Sequence, residues 1–75
     1  MYFTQLRSFQ AAALEGGFTA AAERLNLSQP TVTQQIRELE RNFGVELFSR
    51  QGRRVELSDV GKSLLAVTER MFNIN

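Results

Sequence analysis

Apolar residues recur along this chain with a helical period in four stretches and with a strand period in one. Tyr2, Leu6, Phe9 and Ala13 fall on one helical face, with Phe3 and Leu14 widening the stripe, until Gly16 and Gly17 interrupt it. A second, short helix of about two turns is predicted in TAAAERLNL, where Ala21, Ala22 and Leu25 share a face and Asn26 marks the stop. Gly17 and Thr19 are both acceptable N-caps for it, and the sequence alone does not choose. Ser28 caps a third helix, with Pro30 in a first turn where its missing N–H costs nothing. Val32, Ile36, Leu39 and Phe43 then form a stripe at i, i+4, i+7 and i+11 that ends at Gly44. At about 100° per residue the opposite face holds Pro30, Gln34, Arg37 and Arg41, flanked by Thr31, Thr33 and Glu38.

The period shortens after Val45. VELFSR and RRVEL read as two strands of a hairpin with Gln51, Gly52 and Arg53 at its tip, and Phe48, Val55 and Leu57 are expected to dock on the helices, since a lone hairpin is marginal in water. Ser58 caps a last helix, expected to run from Asp59 to Asn75 over about 25 Å. It carries two apolar rows: Val60, Leu64, Val67, Met71 and Ile74, and beside them Leu65, Thr68 and Phe72. Two rows call for two partners, the helix's own domain and a second copy. The residues assigned to pairing are Leu64, Leu65, Thr68, Met71 and Phe72.

Composition narrows the chemistry. With 75 residues, 43% of them apolar, the chain has enough for one core and little for a substrate cavity. It has no Cys and no His, which removes thiolate nucleophiles, disulfides, the commonest general base and the commonest metal ligands. No catalytic residue, metal ligand or cofactor site is therefore expected. No apolar run approaches the roughly 20 residues that span a bilayer, and the first ten residues lack a signal-peptide core, so a cytoplasmic domain is expected. Net charge is only +1, but it is unevenly spread. Residues 1–27 are neutral, residues 28–46 sum to −1, and Arg50, Arg53, Arg54 and Lys62 outweigh Glu56 and Asp59 around the hairpin.

The order of elements, with a tight turn of Asn26, Leu27 and Ser28 between the second and third helices, is that of a helix-turn-helix followed by a wing. Ala22 is small where two helices cross, Asn26 tolerates a left-handed backbone, and Leu25 and Leu27 are expected to point inward. The expected fold is thus mainly α: three helices, a β-hairpin wing and a long C-terminal linker helix, with residues 1–58 as the winged unit and 59–75 as the start of the linker. A major groove accepts such a third helix. Gln29 and Gln34 suit adenine N6 and N7, Thr33 suits several base edges, Pro30 or a threonine methyl suits a thymine methyl, and Arg37 suits guanine or phosphate. Ser28, Thr31, Arg50, Arg53 and Arg54 suit phosphate oxygens, the wing arginines also a narrow minor groove. The competing readings are a protein-interaction module of the same fold and, for the arginines, a solvated turn.

The run AAERLNLSQPTVTQQIRELE, followed by LFSRQGRRVELSDVG and preceded by LRSF at Leu6–Phe9 and GGF at Gly16–Phe18, resembles the N-terminal DNA-binding domain of LysR-type transcriptional regulators. The resemblance implies a recognition helix over about residues 28–43, a wing around Gly52, and a linker helix through which two protomers pair on a near-palindromic promoter site. It also implies a larger effector-binding domain beyond this chain, which would hold any small-molecule effector, and leaves higher oligomers open for the full-length protein. Gly17 stands where the family usually has Ser, which weakens a helix cap, and Thr31 and Thr33 replace the more frequent Ala and Ser.

Overall fold

The computed structural model describes residues 2–51 and 54–72. Helices α1 (Tyr2–Glu15), α2 (Phe18–Leu25) and α3 (Gln29–Phe43) are followed by strands β1 (Phe48–Gln51) and β2 (Arg54–Leu57) and by helix α4 (Asp59–Phe72). The strands pair antiparallel, Phe48 opposite Leu57 and Gln51 opposite Arg54. The first strand begins at Phe48 rather than Val45, because Val45 still belongs to the end of α3: its N–H donates to the Glu40 carbonyl. Gly52 and Arg53, expected at the tip, lie outside the described residues, as do Ile74 and Asn75.

Local chemistry accounts for each boundary. Gly17, in an extended conformation, is the N-cap of α2 and supplies no side-chain bond, so Thr19 lies inside the helix. Asn26 ends α2 in the left-handed region at φ 60° while its N–H closes on the Ala22 and Glu23 carbonyls. Ser28 caps α3, its Oγ accepting from the Thr31 N–H at 3.2 Å, and Gly44 closes it at φ 68°. Ser58 caps α4, its Oγ accepting from the Gly61 N–H at 3.0 Å and donating to the Glu46 carbonyl at 2.6 Å.

The core lies where α1, α2 and α3 meet. Phe9, Ala21, Ala22, Val32, Ile36 and Leu39 are buried there, and Leu47 and Phe48 seal it from the hairpin side. Each large side chain contributes about 1.5–3 kcal/mol on burial. Phe48 is the joint, with its ring 5.5 Å from Phe9 and 5.3 Å from Phe18, and Val55 and Leu57 pack behind it.

Four expectations change. The inward face of α1 includes Gln5 and Ser8, while Tyr2, Phe3 and Leu14 stay exposed. The polar pair is inside because α3 meets it with polar partners: Ser8 Oγ donates to Gln35, and Gln5 Nε2 to Glu38 Oε1 at 3.3 Å. Phe43 lies on the last turn of α3, beyond the core, and stacks on Tyr2 at 5.5 Å at the surface. Leu27 remains exposed, leaving Leu25 alone to point inward from the turn.

The fourth concerns α4. Its inward row is Gly61, Leu65, Thr68 and Phe72: Thr68 is fully buried, Leu65 packs on the core, and the Phe72 ring meets Phe3 edge-on at 5.2 Å. Leu65, Thr68 and Phe72 are therefore spent within the chain. The row left outside is Val60, Val67 and Met71, while Leu64, between the two rows, is half-buried against the core.

Candidate nucleic-acid interface

Helix α3 is gripped along one side by Val32, Ile36 and Leu39, which forces its other side outward. On that side Gln29, Pro30, Gln34, Arg37 and Arg41 are exposed, and Thr31, Thr33 and Glu38 are half-buried. The three-residue turn from α2 places Ser28 and Gln29 at the leading end. An α-helix with its side chains is about 10–12 Å across, and the major groove of B-DNA is about 12 Å wide.

The polar groups of this face are tied to one another. Ser28 Oγ and Thr31 Oγ1 lie 2.8 Å apart in a hydrogen bond. Gln29 Nε2 donates to Thr33 Oγ1 at 2.7 Å, and Gln34 Nε2 to Glu38 Oε2 at 3.5 Å, both one helical turn on. These ties limit the rotamers that must be frozen when the face meets a ligand. Arg37 and Arg41 stand exposed further along the same side.

Arg50 on β1 and Arg54 on β2 are carried by the hairpin, and Arg53 lies outside the described residues. The hairpin is anchored to α3 by Glu40, whose Oε2 accepts from the Leu47 N–H at 2.8 Å and the Phe48 N–H at 3.3 Å. A single carboxylate thus fixes the wing's first strand against the last turns of the helix. The sequence reading had not singled out Glu40, Gln5 or Gln35. Their shared signal is a polar residue placed next to an apolar stripe, which periodicity discards.

Of the five residues assigned to pairing, Met71 is exposed, Leu64, Leu65 and Phe72 are half-buried, and Thr68 is fully buried. Among the described residues no helix is long and apolar enough to cross a membrane.

Comparison with known proteins agrees with this architecture. Residues 3–62 match the family described as bacterial regulatory helix-turn-helix protein, lysR family. The chain is 50% identical over 74 residues to the HTH-type transcriptional regulator TfdS of Cupriavidus pinatubonensis, and 47% identical over 74 residues to ClcR of Pseudomonas putida. Each alignment covers 99% of this chain and 25% of the relative, so the chain spans about a quarter of their length. Among solved structures, a complex of the CbnR DNA-binding domain with DNA superposes with a TM-score of 0.87 at 42% identity, over 95% of this chain and 82% of that one. The BenM DNA-binding domain bound to catB site 1 DNA gives 0.89 at 32% identity, over 95% and 79%.

Proposed function

The chain belongs to the lysR family of bacterial regulatory helix-turn-helix proteins, and from that premise we propose that α3 enters the major groove of duplex DNA and reads it with Gln29, Pro30, Thr33, Gln34 and Arg37. It is a sequence-specific DNA-binding domain and not an enzyme. The observation that carries the assignment of roles is the outward side of α3, where two amides and two threonine hydroxyls stand in line on a helix whose back is locked in the core.

A glutamine amide offers the donor and acceptor that adenine N6 and N7 require, so Gln29 and Gln34 are the adenine readers. Thr33 bonds to a neighbouring base edge, and Pro30 or a threonine methyl lies against a thymine methyl. Ser28 and Thr31, at the positive end of α3, take phosphate oxygens together with Arg50, Arg53 and Arg54 of the wing. Complexes of the CbnR and BenM domains with DNA support the reading by likeness.

Residues 1–58 form the reading unit and 59–75 begin a linker helix that pairs two copies. The exposed row Val60, Val67 and Met71, flanked by half-buried Leu64, is the one left for that pairing, because Leu65, Thr68 and Phe72 already have packing partners within the chain. A two-fold pair would set two copies of α3 on a near-palindromic promoter site. Any small-molecule effector would act through a domain beyond this chain, and a regulator of this kind works in the cytoplasm.

Fluorescence anisotropy with a promoter duplex and a random duplex across a salt series tests the reading. The expected result is tighter binding to one promoter sequence, with affinity for both duplexes falling steeply as salt rises. Affinity that ignores salt, or fails to distinguish any sequence, would overturn it.

A further inference from the structure

We propose that Glu38, held from behind by Gln5, is a positioning residue that fixes which way the Gln34 amide faces and so sets the base preference at the pair Gln34 reads. This rests on the proposal that Gln34 faces a base pair. Gln5 sits on α1, away from the outward side of α3, and its side chain is buried to about nine-tenths, with 9% of its surface exposed. Its Nε2 donates to Glu38 Oε1 at 3.3 Å, while Glu38 Oε2 accepts from Gln34 Nε2 at 3.5 Å. One carboxylate oxygen thus faces the core helix and the other faces the reading amide.

The chemistry of the carboxylate gives this link its direction. A carboxylate only accepts, so it admits the amide nitrogen and repels the amide oxygen. Gln34 is left with its Oε1 and one N–H toward the groove, the set that adenine N7 and N6 match. Gln29 provides the contrast within the same helix. Its Nε2 meets Thr33 Oγ1 at 2.7 Å, but a hydroxyl accepts or donates equally well, so that contact permits either face of the amide. Glu38 alone of the two anchors dictates orientation.

Glu38 also brings a negative charge to a side that approaches phosphates, and among the described residues the ion pair is Arg24 with Glu15, remote from it. Its removal therefore has two separable effects: selectivity falls through the freed amide, and affinity for any duplex rises through the lost repulsion. A purely structural residue would lower both.

The test is competition binding by the whole chain against duplexes in which each base pair of the preferred site is changed in turn, with a random duplex alongside. Glu38→Ala is expected to lower preference at the Gln34 pair by about five- to tenfold, the lower part of the range one bidentate contact supplies, and to tighten random-duplex binding by about twofold. Glu38→Gln turns one of the two accepting oxygens into an NH2 donor and is therefore expected to lower the preference by less than Glu38→Ala does, while tightening random binding in the same way. Gln5→Ala leaves the charge unaltered and is expected to lower preference at that pair alone, which gives a reading independent of whether Glu38→Ala folds. Added to Gln34→Ala, Glu38→Ala should cost no further preference. If Gln34→Ala loses preference but Glu38→Ala and Gln5→Ala keep it, or if the double variant loses the two effects additively, the positioning role is overturned and the reading role of Gln34 stands. If Gln34→Ala itself changes nothing, both fall.

Discussion

Replacing Gly61 by Ala should destabilise the domain through a single contact. A Cβ at this position would lie 2.2 Å from the Leu47 carbonyl oxygen and 3.0 Å from Leu57 Cδ2. Carbon and oxygen approach normally to about 3.3 Å, so α4 must retreat from the hairpin by about 1 Å. The oxygen cannot turn aside, because it is backbone and already accepts the Ser58 N–H at 2.9 Å. Overpacking of this kind costs about 1–3 kcal/mol, and the upper end applies because the Ser58 bond is strained as well. Alanine regains about 1 kcal/mol of helix propensity, leaving a net loss of about 2 kcal/mol. For a domain of this size that is a fall in Tm of roughly 8–16 °C by circular dichroism. Gly17→Ser is the matched control: Gly17 is extended at φ 176°, has open space around it, and caps α2 without a side-chain bond. Serine there should stabilise by about 0.5 kcal/mol. A Gly61→Ala melt within about 3 °C of the parent would refute the close approach of α4 to Leu47, in the connection preceding β1.

Three further outcomes are expected. Glu40→Ala strips the acceptor from the Leu47 and Phe48 N–H groups and should cost about 2–3 kcal/mol, seen as a lowered urea midpoint, with Glu40→Gln recovering part of it. Val67→Glu with Met71→Glu should hold the chain monomeric in sedimentation with a palindromic duplex, with little change in Tm, since both side chains are exposed. Arg53→Ala should weaken binding to all duplexes alike and reduce the salt slope by about one, whereas an unchanged slope makes it a solvated turn residue.

The helix-turn-helix was legible because local chemistry and long-range packing agree there. Ser28, Asn26 and Gly44 fix the ends of α2 and α3 through caps and left-handed turns that need no knowledge of the rest of the chain. Val32, Ile36 and Leu39 announce the buried side of α3 by spacing alone, and with it the outward side. Elsewhere the agreement fails for physical reasons. Gln5 and Ser8 are polar yet interior because α3 offers Glu38 and Gln35 to them, a pairing across 33 and 27 residues that no local pattern encodes. Leu47 is fully buried from a connection with no period of its own. The two rows of α4 are equivalent as patterns, and only packing chooses between them. Gly61 heads the row Leu65, Thr68 and Phe72, and the lack of a side chain where α4 meets the Leu47 carbonyl was the one local hint of the choice.

The central claim is that the outward side of α3 reads base sequence. Selection from a pool of randomised duplexes, run in parallel with the parent chain and with Gln29→Ala/Gln34→Ala, tests it most directly. The parent should enrich a motif with two-fold symmetry. The double variant should lose about 1–3 kcal/mol of discrimination at each pair those amides read, while retaining its affinity for random duplex. Enrichment of the same motif to the same degree by both proteins would contradict the account.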